Sequence, residues 1–369
     1  MIKSKKLLAL GLAAGLVIAA CGDDDDSSDT TAETSSDTTE AATDDTEATT
    51  GDTSEVVADG DGAGVGVVFD ITGRGDRSFN DAAGAGLDQA AGELGITPAE
   101  STPTGDGDRA ERVQGLVDDG NELVIGVGFL FFDAITAAAE NNPDASFAIV
   151  DSVVEADNVA SLVFAEEEGS FLVGAAAALK TQTGTVGFIG GVENDLIQKF
   201  QAGYEAGVAA VDPDIEVLVN YITQPPDFDG FNDPARGREI AAAQYEEGAD
   251  IVYSAAGSSG LGAFEAAVEA GEPGDVWAIG VDSDQYELVS AEIQPYILTS
   301  MLKRVDVATF NTISSFVNGT FEGGVQEFDL ASQGVGYSTS GGFVDDIVPQ
   351  LDEFIVQIES GEIEVPTTP

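Results

Sequence analysis

The chain has 369 residues, with 68 Asp and Glu against 13 Lys and Arg, no histidine and a single cysteine, for a formal charge of −55. So acidic a balance argues against nucleic acid and anionic lipid head groups as partners, since both carry the same sign. Lacking histidine and a second cysteine, the chain has no Ser-His-Asp or Cys-His catalysis, no His/Cys zinc site and no disulfide, but carboxylate-pair chemistry stays open.

At the start, Lys3, Lys5 and Lys6 precede an apolar run from Leu7 to Ala20, closed by Ile18-Ala19-Ala20 ahead of Cys21. This is the layout of a signal peptide over residues 1–20, and the cysteine after small residues resembles a bacterial lipobox. Cys21 is therefore expected to carry lipid and to hold the mature protein to the outer side of the cell membrane. A run of 14 apolar residues is too short to span about 30 Å of hydrocarbon, so a transmembrane anchor is disfavoured. Residues 22–61 contain 15 acids, no base and no aromatic. Such a segment cannot bury enough apolar surface to order itself, so 21–61 reads as a disordered, self-repelling tether behind the lipidated cysteine. The Asp23–Asp26 run lacks the glycine and distal glutamate of an EF-hand loop.

Beyond the tether, 53 acids face 10 bases, a net charge near −43, over a length that suits two domains. Apolar runs of four to seven residues fall at Gly64–Phe69, Leu123–Val127, Phe147–Val150, Val159–Phe164, Thr185–Ile189, Glu216–Ile222, Ile251–Ala255, Val276–Val281 and Tyr296–Thr299. They read as parallel strands covered on both faces. Alanine-rich stretches separate them. In Asp81–Leu94, for instance, Leu87, Ala90, Ala91 and Leu94 share one helical face and Gly95 supplies the stop. Strands alternating with helices give an α/β fold of doubly wound units. Ligands bind such sheets at the carboxyl ends of the strands, which directs attention to Asp70, Gly128, Asp151, Gly190, Ala256-Gly257 and Asp282.

Several stretches at those ends carry chemistry. In Asp70–Asp81, glycines allow a tight turn and Ser78 or Asn80 can cap the next helix, while Phe79 either packs under the loop or stacks on a ligand. Gly128 leads Phe129, Phe131 and Phe132, of which one can line a cleft, and Asp133 sits in a first helical turn, either as a helix-start charge favoured by the dipole or as a cleft residue. The Gly257-Ser-Ser-Gly260-Leu-Gly262 loop has neither the dinucleotide fingerprint nor a P-loop, and suits close backbone approach to a neutral ligand. Only Lys180, Lys199 and Lys303 remain as lysines after the leader. Lys303, near a helix start where the dipole disfavours it, either pairs with Asp282 or another cleft acid or hydrogen-bonds a ligand, and the two are compatible.

The strings DRSFND (76–81), GVGFLFFDA (126–134), FAIVDS (147–152), FAEEEGSFLVGAAAALKT (164–181), VGFIGG (186–191), KFQAGYEAGV (199–208), FNDPARG (231–237), AAGSSGLG (255–262), IGVDSDQY (279–286) and ILTSMLKRVD (297–306) occur in this order. Over nearly all of residues 62–365 the chain thus resembles the basic membrane protein family of lipoproteins, the nucleoside-binding receptors of ABC importers. The resemblance implies a type I periplasmic-binding-protein fold, two doubly wound α/β lobes joined by three hinge crossings. By analogy the crossings fall near Phe164–Glu168, Asp282–Asp284 and Tyr296–Ser300, giving lobe 1 as 62–166 plus 283–298 and lobe 2 as 167–282 plus 299–365.

It also implies a purine nucleoside as ligand, with the base between Phe79 and Phe231. Asn80 and Asp133 would then hydrogen-bond the ligand, Asp282 accept from the ribose hydroxyls, Gly257 offer backbone, and Lys303 reach the sugar. Asp70 joins this set from its strand end. The 224–230 stretch ahead of Phe231 is longer than the family pattern leads one to expect. Permease subunits, with an ATPase on another chain, would be the protein partners; no cofactor or metal is expected, and the high charge favours a monomer. A sugar or signal-molecule receptor on the same fold, or a nucleoside hydrolase using Asp282 and a second acid, are the competing readings. Trp277, inside a predicted strand, reads as core rather than as a sugar platform.

Overall fold

Runs of Val, Ile, Leu and Phe become short strands buried on both faces, and the alanine-rich stretches between them become the covering helices. The computed structural model describes residues 60–105 and 107–369; the leader, Cys21 and nearly all of the acidic tether lie outside the described residues.

The first sheet is built from β1 (Gly64–Val68), β2 (Thr97–Ser101), β3 (Leu123–Gly126), β4 (Ser146–Val150) and β5 (Val159–Phe164), with helices α1 (Phe79–Leu94), α2 (Arg109–Asp118) and α3 (Phe132–Asn141) between the strands. In α1 the face carrying Leu87, Ala90 and Leu94 is buried, and Gly95 ends the helix in the left-handed conformation (φ 67°) that glycine adopts without strain. The chain then continues through α4 (Glu166–Lys180), β6 (Thr185–Val192), α5 (Asp195–Val211), β7 (Glu216–Thr223), α6 (Pro234–Glu246), β8 (Ile251–Ala255), α7 (Gly260–Ala270), β9 (Trp277–Asp282), the short α8 (Gln285–Leu288) and β10 (Ile297–Lys303). It ends with α9 (Val305–Val317), β11 (Gly324–Phe328), β12 (Val335–Tyr337) and α10 (Val348–Glu359).

Two six-stranded sheets result, in the orders β11-β5-β4-β3-β1-β2 and β12-β10-β9-β8-β6-β7. All neighbours run parallel except β10 and β12. The chain changes sheet three times: at 164–166, 303–305 and 328–335. The first leads from β5 into α4. The other two do not fall at 282–284 and 296–300, because β10 pairs with β9 (Ser300 opposite Gly280, Met301 opposite Val281) and stays in the second sheet. The chain returns to the first lobe only with α9, which packs on α1, and β11, which pairs with β5. Residues 283–298 therefore belong with the second lobe and 305–328 with the first.

Helices α4 and α5 lie backbone to backbone. A Cβ on Gly203 or Gly207 would come within 2.1 Å of a carbonyl oxygen of α4, so only glycine permits the approach. This contact fixes the start of α4, with Glu166, against α5, with Lys199, at the first crossing.

Candidate functional site

The carboxyl ends of both sheets face one cleft. Its first-lobe wall is formed by the loop after β1 (Asp70 to Asn80), by Gly128 and Phe129 after β3, and by Asp151 after β4. Its second-lobe wall carries Leu196, Ile197 and Phe200 of α5, Phe231 and Asn232, the 255–258 turn, Asp282 and Lys303. Of the strand ends singled out from the sequence, only Gly190 is absent from the lining. Its neighbour Gly191 has a supporting role, since a Cβ there would meet the Phe231 ring at 2.5 Å.

The β1–α1 loop is braced by its own acids. Asp76 accepts from the amides of Ser78, Asn80 and Asp81 at 2.8–3.0 Å, and burial pushes its carboxyl upward against those bonds. Asn80 lines the cleft, but its amide is engaged within the loop: its oxygen accepts from Asp70 N, and its nitrogen donates to Thr72 and Asp76. Asp70 pairs with the buried Arg109 across 3.5 Å. Phe79, the first residue of α1, places its ring beside Gly128 and 5.2 Å from the Lys303 ammonium.

After β3, Gly128 (φ 112°) and a single 3₁₀ turn send the three phenylalanines in different directions. Phe131 enters the core, Phe132 is exposed, and Phe129 faces the cleft. That turn makes Asp133 an exposed helix-start residue outside the cleft lining. The structure thus separates Asp133 from the other expected ligand-binding residues, and its helix-dipole role suffices.

Phe231 meets Phe129 of the opposite wall with ring centroids 6.5 Å apart, and Phe129 also touches Phe228. The glycine-rich 257–260 turn holds the Phe231 loop: Ser258 Oγ donates to Phe231 O at 3.0 Å and Ser259 Oγ to Gly230 O at 2.8 Å. Gly257 itself adopts φ 56° directly against that backbone.

The floor of the cleft is ionic. Lys303, 2% exposed, pairs with Asp151 Oδ1 at 2.6 Å and Glu166 Oε1 at 3.0 Å. Its ammonium lies 5.0–5.6 Å from the rings of Phe79, Phe164 and Phe200, close enough for cation–π attraction. Burial opposes its charge, but Asp151, Glu166 and Asp282 outweigh burial and hold Lys303 protonated. The same burial pushes Asp151 up, against the pull of Lys303. Lys199 reaches Glu166 Oε2 at 3.2 Å and Phe164 O at 3.3 Å, so the cluster spans the first crossing. Asp282 accepts from Ser78 Oγ at 2.5 Å and is lifted by burial to about 6, with Lys303 and Ser78 pulling the other way. Both Asp151 and Asp282 adopt the left-handed backbone region (φ 65° and 64°), which Asp tolerates better than most residues and which clusters at functional sites.

Asp151 and Glu166 complete this site as partners that the sequence did not assign. Asp151 was visible only as a strand end, and Glu166 only as one of three consecutive glutamates. Both cleft lysines are paired with acids, so the site suits a neutral ligand with a flat apolar part and hydroxyl donors rather than an anion.

A family model described as ABC transporter substrate-binding protein, PnrA-like, matches residues 63–369. The chain belongs to this family. Among its relatives, the ABC transporter nucleoside-binding protein BmpA of Lactococcus lactis subsp. cremoris is 35% identical over 320 residues, covering 82% of this chain and 88% of that protein. Basic membrane protein A of Borreliella burgdorferi is 31% identical over 298 residues, 79% of this chain and 84% of that one. A solute-binding protein of an ABC transporter system from Aeropyrum pernix K1 superposes with a TM-score of 0.72 at 30% identity, over 82% of this chain and 94% of that chain. This PnrA-like protein is thus an ABC transporter substrate-binding protein, placed outside the cytoplasm by that role, with the two-lobed periplasmic-binding-protein architecture.

Proposed function

We propose that the protein captures a nucleoside, preferentially a purine one, between its lobes and delivers it to the permease of an ABC importer, held to the membrane by lipid on Cys21. The observation that carries this reading is the pairing of aromatic rings from both walls, Phe79 and Phe231, with the buried Asp282 carboxylate in a single cleft. A flat base stacks on such rings, and a carboxylate accepts from a vicinal diol through charge-assisted hydrogen bonds. The name of the Lactococcus lactis relative supports the nucleoside, and the Ile18–Cys21 pattern supports the anchor. The lobes act as a clamp about the three crossings, and the protein works as a monomer without a cofactor.

Calorimetric titration with adenosine, guanosine, inosine, uridine and ribose tests the reading. Saturable binding of the purine nucleosides, with ribose inert, is expected. Binding of sugars alone would keep the fold and overturn the ligand, and release of free base during incubation would favour the hydrolase.

A further inference from the structure

Ser78 occupies the N-cap position of α1, where a serine hydroxyl ordinarily accepts from an amide of the first helical turn. Here it makes no such bond. Asp76 performs the capping instead, with its two oxygens taking the amides of Ser78, Asn80 and Asp81. Relieved of that task and fully buried, Ser78 Oγ donates across the cleft to Asp282 Oδ2. The same hydroxyl also lies 3.4 Å from Val281 O, and two bonds from the second lobe hold the loop backbone: Ser283 Oγ donates to Ser78 O at 3.1 Å, and Gln285 Nε2 donates to Arg77 O at 2.8 Å.

We propose that Ser78 is a positioning residue for sugar recognition, fixing the Asp282 carboxylate so that its remaining oxygen faces the ligand hydroxyls only when the lobes are closed. This rests on the nucleoside reading above. A carboxylate free to turn about its Cβ–Cγ bond offers a diol no defined acceptor, and pinning one oxygen sets the plane of the other. Because the pin comes from the opposite lobe, discrimination at the sugar is coupled to closure.

The test uses the full chain and compares adenosine with 2′,3′-dideoxyadenosine by calorimetry. The parent protein should prefer adenosine by at least about tenfold, the scale of one charge-assisted hydrogen bond. Ser78→Ala should shrink that preference about tenfold, and Ser78→Thr, which keeps the hydroxyl, should restore it. In an Asp282→Asn background, Ser78→Ala should change the preference no further, since the two act as one unit. Thermal melting of each variant confirms that it is folded. If Ser78→Ala weakens both ligands equally, Ser78 is only a latch between lobes and the proposal is overturned. A further loss in the Asp282→Asn background would also overturn it. If the parent protein binds neither ligand, it is the nucleoside reading that fails, and this inference falls with it.

Discussion

Replacing Lys303 by Met keeps most of the apolar side-chain volume but removes the ammonium, and with it the cation–π attraction to the Phe79, Phe164 and Phe200 rings. Two ion pairs, at 2.6 and 3.0 Å with all partners at most 5% exposed, are lost together. Removing one partner of a buried pair costs about 3–5 kcal/mol, because the charge left behind is unsolvated. For a chain of this size the melting midpoint should fall on the order of 10 °C. The pH dependence of that deficit separates charge from packing. Asp151 is already pushed up by burial, and without its ammonium it rises further. A carboxyl whose folded pKa exceeds its unfolded value of about 3.9 binds protons more tightly when folded, so folding gains stability as pH falls through the folded pKa. The deficit of Lys303→Met should therefore shrink between pH 8 and pH 5, and Asp151→Asn added to it should recover part of the loss. Melting both proteins across that range is the assay. A deficit below about 1 kcal/mol, or one equal at both pH values, would refute the claim that Lys303 neutralises a dry acidic cluster.

Three other outcomes are expected. Phe231→Ala removes one ring of the cleft and should weaken adenosine binding about tenfold or more while leaving the fold intact, since Phe231 ends a single 3₁₀ turn on the cleft wall rather than standing in a sheet; calorimetry showing unchanged affinity would remove Phe231 from the site. Asp133→Ala should leave affinity within about twofold, the scatter of surface substitutions, because this carboxylate is exposed outside the cleft; a large loss would restore it as a ligand contact. Binding should also weaken as pH falls below about 6, where Asp282, faced by Lys303, Ser78, Asp76 and Glu166, takes up a proton and accepts poorly from hydroxyls. Over the same range the raised Asp282 adds stability to the empty protein, so affinity and melting midpoint should move in opposite directions; affinity that is flat down to pH 5 would show that the ligand does not need the ionised carboxylate.

The strands that composition revealed and those it hid differ in where they lie. β1, β3–β6 and β8–β10 are interior and read as continuous apolar runs, because helices cover both faces. β2 (Thr-Pro-Ala-Glu-Ser) and β11 (Gly-Val-Gln-Glu-Phe) are edge strands with exposed positions, β12 is an edge strand of three residues, and nothing in their composition sets them apart from loops; β7 is an edge strand too, but Val217, Leu218, Val219, Tyr221 and Ile222 make it legible as an apolar run. The crossings that the family resemblance implies at 282–284 and 296–300 would split β10 between the lobes, whereas in this chain β10 stays with β9 and only β11, on the far side of α9, pairs back with β5.

At the site, the strand-end rule found Asp70, Gly128, Asp151, Gly257 and Asp282 because parallel-sheet geometry alone brings strand ends together. Which of these carry unusual charge was not legible. Ser78 and Asp282 are 204 positions apart, and a serine before a helix reads as a cap whenever the residue that displaces it, here Asp76, cannot be weighed against it. Asp133 and Glu166 are likewise both acids in the first turn of a helix. One lies in water and needs no partner, while the other is 1% exposed and is paired with both Lys303 and Lys199. Side-chain chemistry is written in the sequence, but the cost of removing water from it is set by the opposite lobe, and that cost distinguishes a functional carboxylate from an ornamental one.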